Sequence, residues 1–346
     1  MKTPKELGYY FPAEWEKHKA TWLSYPHNEN SWPDKIHTIF PYYHQFVKEV
    51  AKGELVHINV LNDEMANHVI AELNKIGVNM ANIHCHLFPT NDAWCRDHGP
   101  AFLVNPNAAQ KKIIVNWEHN AWGGKYPYEL DTMIPSLIAE YLDLTEFETG
   151  IVMEGGSVDF NGKGTLITTT SCLLNQNRNP HLNQGEIEEC LIEYYGVENV
   201  IWLGDGIEGD DTDGHVDDIT RFVNEDTVIT VVESNENSAN YLPLKENLKT
   251  LSKARLQNGK QMNIAELPMP APVIWEDQML PASYANFYIA NQAVIVPLYN
   301  CKQDQTAMDI LSSCFKDREV VGIDSTEIIW GLGSFHCLSQ QEPDVE

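Results

Sequence analysis

The sequence contains few basic residues. Among 346 residues, Lys and Arg total 23 against 50 for Asp and Glu, so the formal net charge is −27, and only five residues are arginines. A protein this acidic repels phosphate backbones, which makes nucleic acid an unsuitable partner. The same charge attracts small cations, although an acidic surface can also serve solubility alone.

Long apolar runs, paired cysteines and linkers are also missing. No apolar stretch is long enough to cross a bilayer, and the first residues lack the apolar core of a secretory signal, so we expect a cytoplasmic protein with no membrane partner. The seven cysteines are scattered without a CxxC pair, which indicates free thiols in a reducing compartment. Without a Pro- or Ser-rich linker, residues 1–346 are predicted to form one domain.

Runs of strand length alternate with segments of helical periodicity, which indicates an α/β or α+β fold. The predicted strands are 20–25, 55–61, 83–88, 101–104, 112–117, 165–169, 200–203, 227–232, 287–298 and 319–323. The predicted helices are 36–52, 64–76, 130–142, 186–195, 242–256 and 306–315.

The second half of the chain shows a repeating hairpin pattern. Hairpins are predicted over 157–169, 219–232 and 287–298, each followed later by a helix. Leu166, Val228 and Val294 occupy matching places in these hairpins, roughly 60 residues apart. This interval favours internal pseudo-symmetry. The acidic tail from Glu342 is expected to be a frayed terminus.

Four clusters combine glycine with polar residues at predicted strand ends, where functional sites collect. They are WCRDHGP (94–100), MEGG (153–156), DTDGHVDD (211–218) and GLGSFHC (331–337). Each has a structural alternative, because a free cysteine such as Cys337 is often a buried apolar residue and Asp97 could pair with Arg96. A metal site is an alternative for 211–218 and for His84 with His86, but neither has complete metal-ligand spacing.

Taken together and in order, the motifs resemble the agmatine deiminase family, relatives of the Porphyromonas-type peptidyl-arginine deiminases. The resemblance rests on FPAEWEKHKATWLSYP (11–26), DAWCRDHGP (92–100), NAWGGK (120–125), EGG (154–156), TDGHVDD (212–218) and HCLSQQEP (336–343). It implies a pentein fold, in which five pseudo-symmetric ββαβ-type units form an α/β propeller around a central active site. It also implies the catalytic set Cys337, His215, Asp97, Asp217 and Glu154, with no metal and no organic cofactor.

The last motif departs from the family pattern. Leu332 and Ser334 stand where the family usually has a glycine and an asparagine, close before Cys337. The nucleophile assignment is unaffected by these changes. The two changes put in question the backbone shape of this segment and one polar contact beside the thiol.

The family chemistry requires these residue types. Carboxylates match a guanidinium in charge and in two-pronged geometry, so Asp97 and Asp217 are expected to clamp the substrate. The Cys337 thiolate would attack the guanidinium carbon, His215 would transfer protons, and Glu154 would support either the histidine or the guanidinium. Nearby carboxylates would raise the pKa of the thiol and a bound cation would lower it, so we expect the thiolate to form with substrate bound.

The expected substrate is agmatine, hydrolysed to N-carbamoylputrescine and ammonia in polyamine metabolism. The scarcity of arginine and the acidic charge favour a substrate with a distal amine over one with an α-carboxylate. Trp94 and Trp122 could line the tunnel for its alkyl chain, or they could be core residues. A peptidyl-arginine or free-arginine deiminase and a non-catalytic cation-binding pentein remain alternatives, and a homo-oligomer remains possible.

Overall fold

The computed structural model describes residues 2–345 and confirms an α/β chain. Its strands are β1 (His18–Ser24), β2 (Leu55–Asn59), β3 (Ile83–His86), β4 (Ala101–Val104), β5 (Lys112–Glu118), β6 (Glu146–Val152), β7 (Val158–Phe160), β8 (Thr165–Thr169), β9 (Asn199–Leu203), β10 (Thr220–Asn224), β11 (Thr227–Val232), β12 (Asn263–Pro268), β13 (Ile274–Trp275), β14 (Gln278–Met279), β15 (Tyr288–Ile289), β16 (Ala293–Leu298), β17 (Glu319–Asp324) and β18 (Ser339–Pro343). Its helices are α1 (Ile36–Val50), α2 (Asp63–Lys75), α3 (Cys95–His98), α4 (Ala121–Gly124), α5 (Ile134–Leu142), α6 (Thr170–Leu173), α7 (Gln184–Tyr195), α8 (Tyr241–Lys253) and α9 (Gln303–Cys314).

Within residues 2–345, five of the six sheets repeat one connection pattern, and β13 and β14 form a separate two-stranded antiparallel sheet. In four sheets an antiparallel hairpin is followed by a helix and by a third strand parallel to the second; these are β4–β5–β6, β7–β8–β9, β10–β11–β12 and β15–β16–β17. The fifth sheet has the order β18–β1–β2–β3 and follows the same pattern with one extra strand. Because β18 pairs with β1, the fifth unit is built from both ends of the chain.

The repeat predicted from the hairpin spacing is confirmed at the level of single residues. Leu166, Val228 and Val294 are each the second residue of the middle strand of a unit, and all three are fully buried. Each lies between an antiparallel and a parallel neighbour. Such a position is covered on both sides of the strand, which is why β-branched and large aliphatic residues recur there.

The expected frayed C-terminus is wrong. Residues 339–343 form β18, and Glu342 is only 2% exposed. Its carboxylate accepts a hydrogen bond from Trp22 Nε1 at 2.8 Å and forms an ion pair with Lys112. The strand was not predicted because residues 339–342, Ser-Gln-Gln-Glu, are all polar. Strands are recognised in a sequence by alternating apolar residues, and this strand buries polar side chains instead.

The connection pattern brings one end of every unit to a common place. The turn before the first strand of each unit carries a polar residue of the site: Asp97 before β4, Glu154 before β7, Asp217 before β10, Asn286 before β15 and Cys337 before β18. The longer helices pack against the apolar cores of the sheets; Phe46 of α1, for example, stacks on Phe335 two residues before the thiol, with ring centroids 5.0 Å apart. Over residues 2–345, no helix combines the length and the apolar character that a membrane span requires.

Candidate active site

Cys337 lies in the turn that leads into β18 and borders a cleft. Its Sγ accepts a hydrogen bond from Asn286 Nδ2 at 3.0 Å and lies 3.6 Å from Asp217 Oδ2. The side chain is 4% exposed. Burial first, and then the charges of Asp217, Asp218 and Asp97, raise the pKa of the thiol well above its usual value. The free enzyme therefore holds a neutral thiol at pH 7.

Asp97 faces the thiol from the short helix α3. Its Oδ2 accepts a hydrogen bond from Trp122 Nε1 and its Oδ1 accepts one from the Gly156 amide, both at 3.0 Å. Burial and the neighbouring carboxylates raise the pKa of Asp97 to about 6, although His215 acts in the opposite direction. A positive charge placed beside Asp97 would reverse this shift, so the carboxyl is prepared to ionise fully when a cation binds.

The glycines of the MEGG motif allow the backbone to approach this group. A Cβ at Gly156 would lie 2.6 Å from His215 Nδ1 and 2.9 Å from Asp97 Oδ1, and one at Gly155 would lie 2.2 Å from the carbonyl oxygen of Arg96. No side chain larger than hydrogen fits at either position without moving backbone or catalytic atoms. In the sequence, the glycines beside Glu154 already indicated such a close approach of the backbone.

His215 is fully buried between three carboxylates. Its Nδ1 lies 3.7 Å from Asp97 Oδ1 and 4.0 Å from Asp217 Oδ1, and its Nε2 lies 3.7 Å from Glu154 Oε2. Neither ring nitrogen has a hydrogen-bond partner among the described residues. Burial alone would lower the pKa of His215, but Asp97 and Glu154 raise it well above its usual value, so the ring is an imidazolium and can donate a proton.

Glu154 is held in its charged form by Arg178, whose position could not be assigned from the sequence. Arg178 Nε donates to Glu154 Oε1 at 2.7 Å, and both side chains are fully buried. Although burial opposes it, His215 and Arg178 lower the pKa of Glu154 to about 2. Arg178 also donates to the carbonyl oxygen of Thr212 and to Asp213, so it fixes the loop that carries the histidine. No motif marked it in the sequence.

A chain of ionic contacts behind the thiol orients Asp217. His336 Nδ1 lies 2.7 Å from Asp217 Oδ2, and its Nε2 lies 2.9 Å from Glu14 Oε2. Because both partners are carboxylates, both ring nitrogens act as donors. Arg221 contacts Glu14 at 2.6 Å, and Arg96 lies 3.8 Å from it. Although burial acts in the opposite direction, the His336 contact holds the pKa of Asp217 below its usual range, and Asp217 Oδ1 has no hydrogen-bond partner within the described chain.

Sequence reasoning also missed Asn286 as a functional residue. Its amide nitrogen contacts the thiol and Asp218 Oδ1, while its side-chain oxygen accepts hydrogen bonds from the backbone amides of His336 and Cys337. No glycine-containing cluster surrounds it in the sequence. Asn286 thus places an amide directly beside the thiol. Ser334 itself is buried and bonds Ser325 at 2.7 Å between hydroxyl oxygens.

Leu332 has a backbone conformation that a glycine would adopt without strain. Its φ is 70°, in the left-handed region, where a non-glycine residue costs about 1–2 kcal/mol. The glycines on either side pack against the Trp94 ring, since a Cβ would lie 2.8 Å from it at Gly331 and 2.6 Å from it at Gly333. The leucine at position 332 therefore adds backbone strain close to the thiol.

The acidic run 211–218 does not form a metal site at its first residues. Asp213 pairs with Arg178 at 2.7 Å, and Asp211 accepts a hydrogen bond from Tyr126 at 2.8 Å and lies 3.4 Å from Lys125 Nζ. Arg178, Lys125 and the Tyr126 hydroxyl already pair with these carboxylates. The run instead serves to present His215 and its neighbours to the thiol.

A cleft of about 630 Å³ leads to the thiol. Its aromatic lining includes Trp94 and Trp122, which are 5% and 8% exposed, so these residues form walls of the cleft and also pack into the core. Trp122 has a second contact that the sequence did not indicate, its hydrogen bond to Asp97. The other aromatic lining residues are Tyr126, Trp275 and Trp330, and the acidic ones are Asp92, Asp97, Glu208, Asp210, Asp211 and Asp277. Within residues 2–345 no Lys or Arg lines the cleft.

The arginines are engaged elsewhere. Arg96 donates to the side chains of Gln340 and Gln341. Arg255 bonds backbone oxygens of its own segment, and Arg318 bonds the carbonyl oxygens of Ala290 and Trp15. Together with the buried pairs of Arg178 and Arg221, these contacts leave the acidic cleft without a guanidinium that could receive a carboxylate ligand.

Known proteins match this chain over almost its whole length, both in sequence and in fold. The profile of the Porphyromonas-type peptidyl-arginine deiminase family matches residues 10–343. A Legionella pneumophila protein provisionally named agmatine deiminase is 35% identical, over 98% of this chain and 96% of that protein. The agmatine deiminase of Enterococcus faecalis superposes with a TM-score of 0.93 at 30% identity, covering 100% of this chain and 99% of that one. An agmatine deiminase of C. jejuni with substrate bound gives a TM-score of 0.88 at 32% identity, over 97% and 96% of the two chains. The chain therefore belongs to the Porphyromonas-type peptidyl-arginine deiminase family and has the pentein fold.

Proposed function

We propose that the protein hydrolyses agmatine to N-carbamoylputrescine and ammonia through a covalent amidino-cysteine. The observation that carries this proposal is the position of the Cys337 thiol at the base of an acidic cleft, between Asp97 and Asp217. The assignment agrees with the agmatine deiminases that this chain resembles over its whole length.

The first step uses the two aspartates as a clamp. A guanidinium lying between Asp97 and Asp217 would receive charge-assisted hydrogen bonds from two sides, one of them from the unpartnered Asp217 Oδ1. Its positive charge lowers the pKa of the Cys337 thiol, which releases its proton to solvent through the cleft as the substrate binds. The resulting thiolate attacks the guanidinium carbon, and the electron pair of the C=N bond moves to nitrogen. A C–S bond forms, and the carbon becomes tetrahedral.

His215 then acts first as a proton donor and later as a proton acceptor. It donates a proton to a nitrogen of the adduct, which leaves as ammonia when the C–N bond breaks, and Glu154 stabilises the imidazolium before this transfer. A water molecule gives its proton to the neutral ring and adds to the amidino carbon. The C–S bond breaks, the thiol is restored and the urea product leaves, so one water is consumed and one ammonia released.

The cleft favours agmatine over arginine and peptidyl-arginine. The α-carboxylate of free arginine would meet Asp92, Glu208 and Asp211 with no lining Lys or Arg to receive it among the described residues. The ammonium of agmatine meets the same carboxylates favourably, and the faces of Trp94 and Trp122 suit its alkyl chain and charge. Lys125 lies beside the cleft but is paired with Asp211 and Asp213.

A cytoplasmic location is part of the proposal. All seven cysteines are free, and a disulfide-forming compartment would put the nucleophile at risk of oxidation.

Ammonia release from agmatine, free arginine and an arginine-containing peptide tests the assignment, with Cys337→Ala as the inactive control. We expect release from agmatine that is absent in Cys337→Ala. Release mainly from arginine or the peptide would contradict the substrate assignment while keeping the mechanism. Binding of agmatine without turnover would instead identify a cation-binding protein that retains the fold.

A further inference from the structure

A second buried thiol lies beside the catalytic histidine and takes no part in the proposed reaction. Cys172 belongs to α6, directly after β8, and is fully buried. Its Sγ lies 3.8 Å from Glu154 Oε2. The sulfur, that oxygen and a ring nitrogen of His215 all lie within 4.8 Å of one another. A thiol, a carboxylate and an imidazole therefore converge on one point inside the protein.

The spacing of these three groups fits a metal ion. Zinc binds sulfur at about 2.3 Å and imidazole nitrogen or carboxylate oxygen at about 2.0–2.2 Å, so tetrahedral ligand atoms lie roughly 3.4–3.6 Å apart. The observed separations are 3.7 Å for His215 Nε2 to Glu154 Oε2 and 3.8 Å for Cys172 Sγ to the same oxygen. These two separations exceed the tetrahedral value by a few tenths of an ångström, and the Cys172 sulfur lies within 4.8 Å of the His215 ring nitrogen.

The neighbouring side chains favour the same three groups as ligands. His215 Nε2 has no hydrogen-bond partner among the described residues, so its lone pair is available once the nitrogen loses its proton. Nδ1 of that ring lies 3.7 Å from Asp97 Oδ1, and a carboxylate is the kind of outer partner that metal-bound histidines usually have. Arg178 holds the other oxygen of Glu154 and leaves Oε2 for a ligand.

We propose that Cys172, Glu154 and His215 form a site for a thiophilic divalent cation of the zinc type, and that its occupation inhibits the enzyme. The cation displaces the thiol proton of Cys172 and the proton on His215 Nε2, both of which pass to solvent. With Nε2 bound to metal, His215 can no longer donate to the leaving ammonia. The Arg178 charge opposes the cation, and the carboxylates of Asp97 and Asp217 offset it.

A competing cluster lies on the other side of the site, where Asp217, Asp218 and Cys337 also lie within 4.8 Å of one another. It contains no imidazole, and two of its carboxylate oxygens are already bound, by His336 and by Asn286. Zinc prefers nitrogen and sulfur ligands, so the Cys172 cluster is the better site. The two clusters differ in the thiol that they use, which makes them separable by experiment.

Cobalt(II) binding to chelator-treated protein tests the site without reference to activity, because a thiolate–cobalt bond gives a charge-transfer absorption. We expect one equivalent of Co²⁺ and this absorption in the wild type and in Cys337→Ala. Cys172→Ser and Cys172→Ala should lose the absorption and bind the ion at least tenfold more weakly, with unchanged thermal unfolding midpoints for the serine variant. The absence of binding in the wild type, or an absorption lost in Cys337→Ala and kept in both Cys172 variants, overturns the proposal.

Inhibition of ammonia release by Zn²⁺ is the second test, and this arm alone rests on the proposed function. Cys172→Ser should turn over agmatine within about twofold of the wild type and require at least tenfold more Zn²⁺ for half inhibition. A chelator should restore the activity of the wild type. Equal sensitivity of the two proteins would overturn the proposal, whereas absence of turnover in metal-free wild type would contradict the proposed function and leave the cobalt result standing.

Discussion

Replacement of His336 by glutamine disturbs the positioning of Asp217 and leaves the reacting groups unchanged. The imidazole contacts Asp217 at 2.7 Å and Glu14 at 2.9 Å and donates to both. A glutamine amide has one NH₂ group and one carbonyl, so it cannot give an ionic donor to two separate carboxylates. Asp217 loses its main partner while it remains fully buried.

The size of the effect follows from the lost contact. A hydrogen bond to a charged group contributes about 1.5–3 kcal/mol, and one pKa unit corresponds to about 1.4 kcal/mol. His336 holds the pKa of Asp217 below its usual value, so His336→Gln should raise that pKa. Since the ionised aspartate clamps the substrate, loss of the contact should lower kcat/KM by roughly tenfold to a hundredfold, and most strongly at acid pH.

The assay is a pH profile of kcat/KM for agmatine, with the unfolding free energy measured in parallel. A lowered carboxyl pKa in the folded state stabilises it above the unfolded pKa, and this contribution disappears as the pH falls through the folded pKa. The variant should therefore lose stability near neutral pH and lose less at low pH. His44→Gln, which removes a buried imidazole bound to the Tyr25 hydroxyl, is the matched control and should leave the profile unchanged. A kcat/KM profile that matches the wild type in height and in its acid limb would refute the reasoning and leave His336 a structural residue only.

Three further results are expected. Because burial and carboxylates raise the pKa of Cys337, its alkylation by iodoacetamide should continue to accelerate above pH 9, and a plateau below pH 8 in the free enzyme would contradict this. Trp122→Phe keeps the ring but removes the donor to Asp97, so kcat/KM should fall at least tenfold and its acid limb should rise; wild-type kinetics would show that the contact is unimportant. Arg178→Met leaves Glu154 buried without its partner and should lower the unfolding free energy by about 3–5 kcal/mol in urea titrations, and a loss below 1 kcal/mol would argue against that pairing.

The repeat and the catalytic motifs were readable from the sequence because they are local. Glycine beside a polar residue marked Glu154 and Cys337, and strand-length apolar runs marked the middle strands of the units. These signals lie within a few neighbouring residues. The structure brings the five predicted catalytic residues together at the equivalent end of their units.

The supporting contacts were not readable because they join distant parts of the chain. Glu14 contacts His336 across 322 positions, and Arg178 reaches Glu154 from a segment with no motif of its own. Both Glu14 and His336 stand inside motifs that carried the resemblance, yet nothing local indicates that they meet. The residues of a buried polar network do not recur at the apolar spacing of a helix or a strand. The patterns that predict those elements therefore do not reveal the network.

Mass spectrometry of acid-quenched enzyme during agmatine turnover tests the central claim, that Cys337 forms a covalent intermediate. The account predicts a transient mass gain equal to agmatine minus ammonia, located on the peptide that contains Cys337 and absent from Cys337→Ala. Turnover with an adduct on another residue, or turnover by Cys337→Ala itself, would contradict it.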